Sequence, residues 1–383
     1  MQEYESMRPY NDQEVPGVVR RVVGNPEFAQ AASRLVMPAF LRGTGFGDWV
    51  TSALLRLKTR HLQTVSDCQL FIADYLERLI NETTQGLTCS GLESLDRQGV
   101  YLFISNHRDI LLDSTLLNFL IHKAGHKTCR MAVGDNLLSN ELAADLMRLN
   151  KSFIVERNVV GAKATLTVLM RTSNYIQHSL DEGASIWIAQ REGRAKDGWD
   201  RTDPALIKML ALAYKKEPDP IVSFLQRVKL IPVSISYELD PNAQRKAHEL
   251  SVIDHDGVYD KSADEDLQSM ILGLLGQKGR VHLHFGEPIV GAIDTPEALA
   301  SAVDVSVMRG MRIYPTHVAA AEALGAKLGD EDQADVPELG DVMSAFRAQI
   351  GGCPDLERDF LLRQYANVLL NRRALGAREA PGV

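Results

Sequence analysis

Residues Val100 to Leu120 read VYLFISNHRDILLDSTLLNFL. A short apolar run, Val100 with Leu102, Phe103 and Ile104, stops abruptly at Ser105-Asn106-His107, and a leucine-rich run begins soon after. This is the pattern of strand, turn and helix. A near-continuous apolar segment of this length suits a strand buried on both faces, which puts the polar triplet at the strand's carboxyl end. Open α/β sheets place their chemistry there. Asp109 can cap the helix that follows, and Asp113 then lies one turn further along the same face. An imidazole with a carboxylate on one ring nitrogen has a fixed tautomer and a more basic second nitrogen, which suits His107 to take a proton from an alcohol. A purely structural reading stays open beside it, with Asp109 only capping and His107 only bonding loop backbone.

Outward from this element, strand-like and helix-like segments alternate to about Pro288. KSFIVERN at 151–158, ASIWIAQRE at 184–192, VKLIPVSISYE at 228–238 and RVHLHFGEP at 280–288 carry strand character, with helical periodicity between them. Such alternation predicts a mixed, largely parallel sheet flanked by helices. Residues 1–98 read as a helical N-terminal region without a strong strand, 99–325 as the α/β domain, and 326–383 as an acidic linker with C-terminal helices. Within 294–325, Pro315 predicts a break between helices, and the last residues, AREAPGV, are expected to fray.

Composition narrows the class. Hydrophobic residues at 45% and charged residues at 24% are ordinary globular values and argue against disorder, collagen-like repeats and coiled coil. A formal net charge of -8 disfavours a nucleic-acid binder, because there is no excess of cations to displace counterions from phosphates. The four cysteines, Cys68, Cys89, Cys129 and Cys353, are far apart and form no CxxC pair, so neither a zinc site nor a disulfide framework is indicated and a reducing cytoplasm fits. No apolar stretch is long enough to span a bilayer. The segment before Arg60 mixes Phe40, Leu41, Phe46, Trp49, Leu54 and Leu55 with Arg34, Arg42, Arg56, Lys58 and Arg60, a composition that can lie on anionic lipid or simply pack as a helix pair.

The strand ends deliver the remaining chemistry. Strand 151–158 ends in Glu156-Arg157, and IWIA runs directly into Arg191-Glu192-Gly193-Arg194-Ala195-Lys196-Asp197-Gly198. Three cations within six residues, in a stretch that holds two glycines, suit a compact anion such as a phosphate monoester, since guanidinium forks match phosphate oxygens and glycine lets backbone approach. His282 and His284 alternate on one strand, but no third ligand is near, so no metal is expected. GxGxxG, the P-loop lysine motif and GxSxG are all absent.

Taken together, these residues resemble the glycerol-phosphate and lysophosphatidate acyltransferase family, and look most like its glycerol 3-phosphate branch. Four ordered blocks over roughly residues 88–325 carry the resemblance. They are Asn106-His107 with Asp109 and Asp113, Phe153-Ile154-Val155-Glu156-Arg157, Glu192-Gly193-Arg194-Ala195-Lys196, and Leu230-Ile231-Pro232-Val233-Ser234-Ile235-Ser236-Tyr237-Glu238. Phe285-Gly286-Glu287-Pro288-Ile289 and Tyr314-Pro315-Thr316-His317 extend it. Three departures stand out. The His-Asp spacing is one residue longer than usual, the usual Asp position being Leu112. The glycine that opens the second block is Lys151. The arginine three residues after Glu192 is Ala195.

The resemblance implies transfer of a fatty acyl group from acyl-CoA or acyl carrier protein to the hydroxyl of a glycerol-phosphate acceptor, with no bound cofactor and no metal. It implies His107 as general base oriented by Asp113 or Asp109. Arg157, Arg194 and Lys196 would hold the acceptor phosphate with Glu192 and Gly193, and Pro232 would line the acyl or acceptor pocket. It further implies a peripheral position on the inner face of the membrane. The alternatives are an acyltransferase for another lipid alcohol and a non-catalytic lipid-binding relative.

Overall fold

The computed structural model of the chain describes residues 4–38, 40–41, 44–135, 141–157, 159–262 and 265–379. Arg42, Asn158 and the tail 380–383 lie outside the described residues, as does the side chain of Arg34. Seven strands are described: β1 Leu87–Ser90, β2 Leu102–Ser105, β3 Arg130–Gly134, β4 Ser152–Val155, β5 Ile186–Ala189, β6 Leu230–Tyr237 and β7 Val281–Phe285. Contacts divide the chain into two compact units, Met1–Glu77 with Arg130–Val168, and Arg78–Cys129 with Leu169–Val383.

The larger unit holds five strands in the order β1-β7-β6-β2-β5. β2 runs parallel to both β5 and β6, β1 runs parallel to β7, and only β6 and β7 are antiparallel. The expected mixed, largely parallel sheet is therefore what forms. The register sets Ile104 of β2 between Ile188 of β5 and Pro232 of β6. All four residues of β2 are buried, as are Leu230 to Ser236 of β6, and Leu102, Ile104, Ile186, Leu230, Val233, Ile235 and Leu283 have essentially no exposed surface. A strand flanked on both sides by strands and covered on both faces is mostly apolar, and its buried serines, Ser105, Ser234 and Ser236, each hydrogen-bond within the core.

Helices flank this sheet and extend the chain on its C-terminal side. Asp203 and Thr295 each accept a backbone N–H at the start of the helices Pro204–Ala211 and Pro296–Gly310, both of which open with proline. The break at Pro315 separates Pro296–Gly310 from the helix Pro315–Ala323. The acidic stretch read as a linker is tied down: Ile313 N donates to Asp335 at 2.6 Å, and Arg372 and Arg373 pair with Asp335 and Asp332 at 2.9 and 3.3 Å.

The smaller unit packs Val15, Val18, Val19, Val22 and Val23 of the helix Val15–Gly24 against Leu62, Val65, Cys68 and Leu149. It also contains the parallel pair β3 and β4. Lys151, just before β4, has φ of +61°, a left-handed conformation that favours glycine. The departure at the start of the second block thus changes the residue while keeping a glycine-type backbone.

Two strands go beyond the sequence reading. β1 lies within the region expected to lack one, and β3 falls in a gap between expected strands. LTCS and RMAVG are too short and too mixed to give a period-two signal. His282 and His284 of β7 bond to β1 side chains: Thr88 Oγ1 lies 2.8 Å from His282 Nδ1, and Ser90 Oγ lies 3.0 and 2.9 Å from His282 Nε2 and His284 Nδ1.

Candidate active site

The turn after β2 is closed by one carboxylate. Asp113 opens the helix Leu112–Lys123 and is fully buried. Its Oδ2 accepts from His107 Nδ1 at 2.8 Å and from the backbone N–H groups of Arg108 and Asp109 at 2.6 and 2.9 Å, while its Oδ1 accepts from the Tyr237 hydroxyl at 2.9 Å. Burial alone would raise the Asp113 pKa, but the bond and charge of His107 and the two backbone donors hold it below the usual carboxylate range. It is thus an ionised acceptor on His107 Nδ1, and that bond fixes the tautomer with the proton on Nδ1. His107 Nε2 makes no hydrogen bond among the described residues. The ring stands edge-on to Trp187, with centroids 5.9 Å apart, and keeps 16% of its side-chain surface open.

Asp109 takes the other part. Its Oδ1 accepts from Leu111 N and Leu112 N at 3.0 and 2.9 Å, which stops the turn and starts the helix. Gly273 of the helix Glu265–Leu275 packs directly on this carboxylate, since a Cβ there would fall 2.1 Å from Asp109 Oδ2. Burial, reinforced by the neighbouring Asp113 charge, pushes the Asp109 pKa up. Two carboxylates four residues apart are therefore driven to opposite protonation tendencies by their surroundings. The extra residue between His107 and Asp113 is absorbed by the turn that Asp109 caps, and Leu112, at the usual Asp position, is buried in the core.

Arg108, between the two candidate residues, joins the first block to the third. Its guanidinium donates to Asp200 at 2.5 Å, to the Gly198 carbonyl at 3.2 Å and to the Ala195 carbonyl at 3.5 Å. In return, Ala195 N donates to the His107 carbonyl at 2.8 Å. Asn106 completes the junction by exchanging bonds with the backbone of Ile235 on β6, at 2.8 and 3.0 Å. Burial pushes the Asp200 pKa up to about 6 despite the opposing Arg108 charge. The C-terminal helix Asp355–Glu379 backs this loop, with Asn367 and Asn371 donating to the carbonyls of Asp197 and Asp200 at 2.7 and 3.0 Å. Gly198, at φ of +75°, is required here: a Cβ would meet the Gln364 carbonyl oxygen at 2.1 Å.

The cations of the third block separate. Lys196 forms an ion pair with Glu249 on the helix Ala243–Asp256, so part of its charge is already neutralised. Arg194 is half-buried and makes no ion pair or hydrogen bond among the described residues. The buried Lys246 holds the turn from below, donating to the Arg108 carbonyl at 2.7 Å and to Asp240. Burial lowers its pKa. Glu192 and Gly193 are exposed. Pro232 is buried inside β6, whereas Ile235, Ser236 and Tyr237 of the same strand line a small cavity beneath Arg108. Arg157 stands exposed just after β4 in the smaller unit, its backbone N donating to Asp135 at 3.3 Å.

Within the larger unit, His107, Asp109, Asp113 and the loop 192–196 are brought together. Arg108, Tyr237 and Asp200 join them without having been singled out from sequence. Tyr237 stood inside the fourth block and Arg108 inside the first, but only pairing across the sheet shows what each one holds.

His317 lies behind this wall. Its Nδ1 accepts from Tyr314 N at 3.1 Å and its Nε2 lies 3.3 Å from the Tyr237 carbonyl, so the neutral ring satisfies both neighbours and a second proton would face a donor. Burial, aided by the Arg108 charge, lowers its pKa to about 3. Because the folded-state value lies below the unfolded one, this group stabilises the fold above the ordinary histidine pKa. The contribution is lost as pH falls through that value. Between pH 7 and pH 5 the wild type should lose about 2 kcal/mol more than His317→Gln, from linkage at the single site. Urea melts at both pH values check this, and parallel losses would rule it out.

Residues 86–236 match the family model described as Acyltransferase. The solved structure of the 1-acyl-sn-glycerophosphate (LPA) acyltransferase PlsC from Thermotoga maritima is similar over 79% of this chain and 98% of that chain, at 13% identity and a TM-score of 0.38. No curated protein matches the chain.

Proposed function

We propose, from the premise that this chain is an O-acyltransferase of the family its residues 86–236 match, that it acylates the hydroxyl of a phosphate-bearing glycerol acceptor at the expense of an acyl thioester. The observation that carries the reading is the pairing of His107 with Asp113, which leaves Nε2 open on a part-exposed ring. In the step, Nε2 takes the acceptor hydroxyl proton as the oxygen attacks the thioester carbonyl. The new C–O bond forms, the C–S bond breaks, and the leaving thiolate takes the proton back from the imidazolium. Asp113 stabilises that imidazolium while it exists.

Arg194 supports a phosphate on the acceptor, since a half-buried guanidinium with no acidic partner among the described residues is suited to bidentate binding of phosphate oxygens. Lys196, paired with Glu249, is the weaker contributor. The exposed Phe46, Trp49 and Leu57 on the helix Gly45–Thr59, with Arg56 and Lys58 in its last turn, support a peripheral seat on anionic lipid. Co-sedimentation with anionic vesicles tests that seat.

The deciding experiment is thiol release from long-chain acyl-CoA and from acyl carrier protein, with glycerol 3-phosphate, lysophosphatidate or a phosphate-free monoacylglycerol as acceptor. The two phosphorylated acceptors should support turnover and the phosphate-free one should not. Arg194→Gln should raise the KM for the phosphorylated acceptor by roughly 10- to 100-fold, and Lys196→Gln by less, as expected for loss of a charge-assisted contact. Equal use of the phosphate-free acceptor would point to another lipid alcohol. Absence of turnover with every donor would point to a non-catalytic lipid binder.

A further inference from the structure

The third-block loop has a second cationic face, apart from Arg194. Arg191, Asp197, Trp199, Arg201 and Asn367 surround an open pocket of about 320 Å³. The Arg201 guanidinium lies over the Trp199 ring, 5.2 Å from its centroid, and Arg201 is exposed with no ion pair among the described residues. Arg191 is part-exposed at the pocket, while its Nε is turned away from solvent and has no hydrogen-bond partner among the described residues. The acidic group in the pocket, Asp197, is 3.9 Å from Arg191 at its nearest oxygen, and it accepts from Trp199 N at 3.1 Å. The pocket therefore combines an indole already used for stacking, two guanidinium groups and one lining carboxylate partly occupied by its own turn, with the buried Asp200 charge acting on Arg191 from behind.

We infer that this pocket binds the phosphorylated adenosine of a coenzyme A thioester and so selects the acyl donor. Three features of the ligand answer three features of the pocket. A flat purine stacks on an indole or a guanidinium plane. Phosphate oxygens supply acceptors for the exposed Arg201 and for the part-exposed end of Arg191, whose nearest carboxylate oxygen is 3.9 Å away. The volume is of the order that encloses a small-molecule group of this size. The loop also links the pocket to the reaction. Ala195, four residues before Trp199, donates its N–H to the His107 carbonyl, so a nucleotide held at Trp199 lies within reach, along an extended pantetheine arm, of a thioester carried to His107. An acyl carrier protein presents the same arm but no adenosine, so this pocket favours coenzyme A.

The inference rests on the acyl-transfer reading for the thioester, but binding can be measured without turnover. Calorimetric titration of the full-length protein with free coenzyme A, dephospho-coenzyme A and pantetheine should give the tightest binding for coenzyme A. Arg201→Gln should weaken it about tenfold, the effect of one lost charge-assisted contact. Trp199→Leu should weaken coenzyme A and dephospho-coenzyme A together. Because Arg201 is exposed, its replacement decides the matter even if Trp199→Leu fails to fold. In turnover, Arg201→Gln should raise the KM for acyl-CoA about tenfold more than that for the matching acyl-pantetheine. Coenzyme A bound no better than pantetheine, or bound equally by wild type and Arg201→Gln, would overturn the site while leaving acyl transfer intact. Tight, Arg201-dependent coenzyme A binding without any transfer would keep the site and remove the acyl-transfer reading.

Discussion

Replacing His107 with alanine should lower acceptor-dependent thiol release by roughly 10²- to 10⁴-fold in kcat, the range that a positioned general base supplies. At about 1.4 kcal/mol per factor of ten, that is roughly 3 to 5 kcal/mol of barrier. The loss should be one of chemistry and not of folding, because the ring makes one hydrogen bond among the described residues while the backbone holds the loop. His107 contributes its carbonyl, not its side chain, to the bond with Ala195 N. The KM for the acceptor should therefore change much less than kcat. The measurement is steady-state thiol release at saturating donor, alongside a thermal melt of both proteins. A rate within a few-fold of wild type would remove His107 from the mechanism.

Asp113→Asn should cost roughly 10²- to 10³-fold in kcat, and it separates the two carboxylates that the sequence left as rivals. The amide keeps the shape of the carboxylate. Its oxygen can still accept from the backbone of Arg108 and Asp109, and its NH2 can meet the Tyr237 hydroxyl as an acceptor. What it cannot supply is the negative charge that stabilises the imidazolium formed on proton transfer. Asp109→Asn should give a smaller loss in kcat, about tenfold at most. Asp109 bonds the helix start at Leu111 and Leu112, and its pKa is pushed up, so its charge is the less available of the two. Comparing kcat for the two variants under one set of conditions checks the assignment. An Asp109→Asn loss equal to or larger than that of Asp113→Asn would reverse it.

The sequence by itself determined the central strand, because Leu102 to Ile104 can only be buried on both faces, and it determined that polar chemistry follows at Ser105 to His107. It also placed the cationic loop after IWIA and the break at Pro315, since charge cannot follow a buried run without leaving the core and proline cannot continue a helix. These are local properties, written in neighbouring residues. Which carboxylate holds His107 was not local: it depended on the turn capped by Asp109 and on Tyr237, 124 residues after Asp113, reaching its other oxygen. The same is true of the cations. Arg194, Lys196 and Arg108 look alike in the chain, yet Glu249 neutralises Lys196 and Asp200 fixes Arg108, while Arg194 has no acidic partner among the described residues. Short strands such as β1 and β3 were settled by pairing, which contributes more than their own four or five side chains do. Tertiary structure decided these points because an ionisable group's role is set by what surrounds it in space, and parallel pairing brings together residues that are far apart along the chain.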